Sequence, residues 1–129
     1  MATLKLHWAH SHYSEVYDLR SWSSNAVNRV VHTTKRLRAN LYEVLANADG
    51  ELGQPLFMKI ARGPMARGDL KHEAEIYAKE LLPLQGIVVP QFYGFYEGNI
   101  QGIPFACMLL EDCKPGLSQP APLDPREVK

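Results

Sequence analysis

In the stretch "PLFMKIA" apolar and polar positions follow a period of two: Leu56, Met58 and Ile60 fall on one face of an extended chain, Phe57, Lys59 and Ala61 on the other. The pattern predicts a strand with Lys59 pointing away from its most aliphatic face. "RGPMARG" then breaks the chain, and the period changes. From Asp69, a suitable N-cap, Leu70, Ala74, Tyr77, Ala78 and Leu81 recur at helical spacing, which predicts a helix to about Leu82, ended by Pro83 and Gly86. Glu73 lies on the flank of that apolar stripe. Glu75 and Lys79 point outward as a solvent-facing i,i+4 pair.

Upstream, "NAVNRVVHTTKR" and "ANLYEVLANA" are β-branched and aromatic segments suited to a hairpin, and "NADGELGQP" is dense in turn residues. Downstream, "QFYGFYEG" and "GIPFACMLLED" predict two further strands joined by the turn "EGNIQG". Residues 1–26 are polar, aromatic and rich in Ser and His, and are read as a loosely ordered arm. Residues 27–113 form the expected domain. Residues 114–129 carry a Pro-rich linker and, at Asp124 and Pro125, the first turn of a helix that the chain does not complete. The expected fold is α+β, a five-stranded antiparallel sheet with one main helix packed against it.

Composition narrows the function without choosing it. The chain has 129 residues, 46% hydrophobic and 22% charged, which suits a globular domain with a real core. Fourteen basic residues balance fourteen acidic ones, so no long-range field draws in nucleic acid or a membrane. The N-terminus lacks the apolar run of a secretion signal, and the expected location is the cytoplasm or nucleus. Cys107 and Cys113 are accordingly read as free thiols. His7, His10 and His12 lack the further ligands of a metal site, "HTTKRLR" reads as a solvated hairpin tip, and the aromatics of "QFYGFYEG" read as strand core. No metal site is expected.

Lys59 and Glu73, taken alone, fit a lysine that snorkels and a glutamate on a helix flank. Their context says more. "LFMKIA", then "HEAEIYAKELLPLQGIVVPQFYGFYEG", then "CMLLEDC" resembles the N-terminal lobe of protein kinases, and more closely the fungal branch of protein kinase-like domains: a strand lysine, E-x-x-x-Y-x-x-L on a helix, L-Q-G-x-x-x-P and an L-E-D hinge. The resemblance covers about residues 27–113. It implies that Lys59 pairs the α- and β-phosphates of ATP, that Glu73 holds that lysine, that Leu110 is the gatekeeper, and that Glu111 and Cys113 read the adenine edge through their backbone.

The departures are equally specific. "NAVNRVVHTTKRLRANLYEV" contains no glycine, so the phosphate-cradling loop is missing, and Phe57 stands where a small residue commonly meets adenine. Nowhere is there an H-x-D-x-x-x-x-N catalytic loop or a D-F-G triplet, so the chain carries no catalytic residues and no catalytic second lobe. ATP and Mg²⁺ are the implied cofactors, with weak or absent binding expected. Three readings follow: the nucleotide-facing lobe of a phosphotransferase that is incompetent alone, a pseudokinase-like interaction module, and an unrelated small α+β binding domain. A protein partner, a missing second lobe, or self-association would cover the face such a lobe leaves open.

Overall fold

A computed structural model describes residues 1–9, 14–23, 26–48 and 53–112. Its strands are β1 (Ala2–Ala9), β2 (Ser14–Ser21), β3 (Arg29–Arg38), β4 (Leu41–Ala48), β5 (Gln54–Arg62), β6 (Phe92–Ile100) and β7 (Ile103–Glu111), with a helix α1 (Pro64–Ala78) between β5 and β6. They close into a barrel in the order β1-β2-β6-β7-β5-β4-β3. The expected five-stranded open sheet is therefore wrong. The expected strands are all there, but segment 1–26, taken for an arm, supplies two more and closes the sheet on itself.

The closure has a physical basis in the pattern of "ATLKLHWA". Ala2, Leu4, Leu6 and Trp8 alternate with Thr3, Lys5 and His7, and those four are buried at 4% exposure or less. β2 pairs with β1 antiparallel, from Ala2↔Ser21 to Ala9↔Ser14. On its other edge β1 runs parallel to β3, with Leu4↔Arg29 through His7↔His32 in register. An open β3 edge would leave a row of unpaired backbone groups beside the buried Val31. Closure removes it.

The barrel is full. Leu4, Leu6, Leu19, Val31, Val44, Leu56 and Met58 point inward from the strands, and Tyr96, Phe105, Cys107 and Leu109 complete the filling. Tyr96 is wholly buried yet satisfied, its hydroxyl donating to the Val27 carbonyl at 2.7 Å. One end is plugged by aromatic contacts of Trp8 with Tyr42, Tyr17 and Phe105, and the Arg62 guanidinium lies 5.4 Å from the Trp8 ring centre. Among the described residues the barrel interior is a packed core rather than a ligand chamber.

Among the described residues, α1 covers the outer surface of the barrel over β5, β6 and β7. Leu70 and Ala74 of the helix are buried with Ala61, Ala106, Met108 and Leu110. The helix begins earlier than Asp69. Gly63, at φ 95°, takes a backbone conformation that other residues rarely adopt, and Pro64 follows in the first turn, where its missing N–H costs nothing. It also ends earlier. Lys79 is the C-cap, and Leu82–Leu84 form a 3-10 turn, so the expected Glu75–Lys79 pair gives way to a 4.0 Å contact between Glu75 and His72. Among the described residues no helix is long and apolar enough to cross a membrane. The linker and the helix start expected over 114–129 lie outside the described residues.

Candidate functional site

Register fixes what surrounds Lys59. Antiparallel partners share a face, so Arg38, Leu41, Lys59, Met108 and Phe95 form one row across the outer surface of β3, β4, β5, β7 and β6. Lys35, Glu43, Phe57, Leu110 and Phe92 form the next. α1 crosses these rows, and the helical position beside buried Ala74 brings Glu73 over β5. Lys59 Nζ donates to Glu73 Oε2 at 2.7 Å. The two charges that alternation and helical phase direct to one seam do meet there.

The pair is not buried. The side chains are 40% and 37% exposed, so water screens the attraction and its contribution to stability is at most about 1 kcal/mol. What it does is orient. An ammonium has three N–H donors, and with one held by Glu73 the others remain available to an incoming anion.

The remaining predicted residues are less open. Leu110 is only 8% exposed, and Phe57, its partner in the β5–β7 register, packs in the same cluster under the helix. Phe57 therefore occupies the outer surface beside Leu110, with the Glu43 position next to it in the row. Glu111 is tied to the start of β6: its N–H donates to the Gln91 carbonyl at 2.8 Å and its Oε1 accepts from the Gln91 N–H at 3.0 Å. Cys113 lies outside the described residues. Among the described residues no group of three or more His, Cys, Asp or Glu side chains is placed to hold a metal.

Two other motif residues have structural work. Gln85 of "LQG" donates through Nε2 to the Tyr77 carbonyl at 2.6 Å and accepts from the Phe92 N–H at 2.9 Å, so one amide clasps the helix end to the first residue of β6. Tyr77 of E-x-x-x-Y stacks on Phe92 with ring centres 5.9 Å apart. Together they set the position of α1 on the barrel, and hence of Glu73 over Lys59.

No family model, curated protein or solved structure matches the chain. The site must be read from its own geometry.

That geometry includes a feature the sequence did not announce. On the flank of α1 away from Lys59, a cleft of about 260 Å³ lies between the helix, β6 and the end of β2. Its walls include Ala74, Ala78, Phe92, Phe95 and Trp22. Glu97 beside it is held by Lys71 at 3.5 Å and by Arg67 at 3.8 Å. Trp22 sat in the segment read as an arm, and Phe92 and Phe95 in a strand read as core. Only the pairing of β2 with β6 brings them together, and that contact is long-range.

Proposed function

We propose that the chain is the nucleotide-facing lobe of a protein kinase-like phosphotransferase, incomplete as a catalyst. The observation that carries this reading is the 2.7 Å contact between Lys59 Nζ and Glu73 Oε2, made between a strand and the helix that directly follows it. Further support comes from the chain order β3, β4, lysine strand β5, glutamate helix α1, β6, β7, and from Tyr77 and Gln85, which position that helix. In this reading Lys59 steers the phosphates of ATP and Glu73 keeps the ammonium in place. Mg²⁺ ligands and the acceptor-orienting carboxylate belong to a second lobe. The proposed location is the cytoplasm or nucleus.

A second reading, a pseudokinase-like interaction module, is favoured by Phe57, which fills the adenine side of the site. Titration with ATP and Mg²⁺ tests the first. The phosphotransferase reading expects binding that is absent or weaker than about 10 μM, near −7 kcal/mol, with any saturable binding lost in Lys59→Met, and no phosphate transfer by this chain to any acceptor. Saturable binding that is unchanged by Lys59→Met, or phosphate transfer by this chain alone, overturns it.

A further inference from the structure

We infer that the cleft between α1 and β6 is a binding site for a small aromatic amine, independent of the Lys59–Glu73 site and of the nucleotide reading. The cleft exists because the barrel wall parts there. β2 and β6 share a single register pair, Arg20↔Glu97, and beyond it Ser21, Trp22 and Phe95 line the cleft.

Small residues line the floor. Gly94, at a bulged point of β6, has φ 140°, a conformation that favours glycine, and a Cβ there would point at the Tyr96 ring 2.9 Å away in the barrel core, so β6 presents only backbone to the cleft at this point. On the helix side Ala74 and Ala78, one turn apart, leave room that longer side chains would fill. Between these floors stand aromatic walls from Phe92 and Phe95, and Trp22 at 71% exposure. A tryptophan left that far in water beside an apolar cleft is a surface waiting for a ring.

Volume sets the size of the guest. About 260 Å³ is below the range of roughly 300–1,000 Å³ that takes drug-sized ligands and above the ~150 Å³ cavity that accepts benzene. One ring with a short chain fits. Charge sets its polar end. Glu97 is matched by Lys71 and Arg67, whereas Glu75 at the same mouth has its ionic contact with His72 Nδ1 at 4.0 Å, the limit of an ion pair and charged only when the imidazole is protonated. The charged residues that line the cleft are Lys71, Glu75 and Glu97, and with Lys71 paired to Glu97 the lining keeps one net negative charge, that of Glu75, so an ammonium is preferred to a carboxylate.

The test uses the full chain with phenethylamine as the probe and 3-phenylpropionate as its anionic counterpart, followed by tryptophan fluorescence. The sequence has two tryptophans and Trp8 is buried, so Trp22 reports the cleft. Phenethylamine is expected to bind saturably with a Kd of roughly 0.1–5 mM, ordinary for so few heavy atoms, and 3-phenylpropionate more weakly. Ala78→Leu, at an exposed helix position that tolerates a longer side chain, is expected to weaken the amine roughly tenfold by filling the cleft. Glu75→Gln is expected to cost about threefold and to erase the preference for the amine, as fits an exposed ion pair. Circular dichroism of both variants confirms the barrel. No saturation by about 10 mM, equal affinity for the anion, or an unchanged Kd in folded Ala78→Leu overturns the inference.

Discussion

At the scale of single residues the barrel interior is unforgiving, and Cys107 shows how. It is wholly buried on β7, and burial alone pushes its thiol from 9.0 up to about 12. The thiolate is the reactive form, so Cys107 should be inert in the folded chain. In a Cys113→Ser background, which leaves Cys107 as the remaining cysteine, Ellman's reagent at mild alkaline pH is expected to give no colour until denaturant is added. Stability should follow. The native state keeps a proton that the unfolded state releases above about pH 9, so the contribution is complete below that pH and is lost as pH rises towards 12. Tyr96, raised chiefly by burial, acts in the same direction. Urea melts across the alkaline range check the sign, and Cys107→Ala should flatten the slope without abolishing it. A slope left unchanged by Cys107→Ala would show that the thiol titrates alike in the folded and unfolded states. Lys59 and Glu73 are the opposite case: exposed enough that Glu73→Ala should shift the midpoint by no more than about 1 kcal/mol, its effect falling on anion binding.

At the scale of elements, what was legible in the sequence depended on whether the signal was local. Alternation in "PLFMKIA" and helical phase after it are properties of adjacent residues, and they sufficed to direct Lys59 and Glu73 to one seam. The start of α1 was missed because Asp69 looks like a cap, while Gly63 and Pro64 sit inside what reads as a turn-rich breaker. β1 is different. "ATLKLHWA" alternates cleanly, and the signal was there, but its neighbour "SEVYDLRS" confuses the pattern by placing Val16 outward at 50% exposure and directing Glu15 to the row of Trp8. The parallel pairing of β1 with β3 spans more than twenty residues, and no local period encodes it. If β1 is integral, Leu6→Ala should cost about 2–5 kcal/mol, the usual range for emptying a packed leucine site, a large part of the ~5–15 kcal/mol that holds a domain together. Thermal unfolding of that variant decides it. A loss within experimental error would mean that the arm reading was sound and the barrel stands on β3–β7 alone.

At the scale of the whole molecule, the covered and uncovered parts of the surface are unevenly apolar. α1 protects one sector of the barrel, but the connection after it does not protect itself. Leu82 is 59% exposed, Leu84 41%, Ile87 82% and Val88 71%, four large apolar side chains within seven residues. Gly86, at φ 78°, turns the chain between them and its N–H donates to the Val89 carbonyl at 2.8 Å, so the segment is a built turn that presents these side chains rather than a frayed end. Singly exposed leucines need no account, but a cluster of this kind on a chain with no net charge favours contact with another surface. In a phosphotransferase that surface would be a second lobe, and in an interaction module a partner protein. For this chain in isolation the available surface is another copy of itself. Sedimentation velocity is therefore expected to show a weight-average mass that rises with concentration, and the double variant Ile87→Asp, Val88→Asp to remain at the 14.5 kDa of one chain. Both substitutions fall outside the barrel and outside α1, so the melting temperature should change little. Wild-type protein that stays monomeric at the highest soluble concentration would show that this apolar turn needs no covering surface.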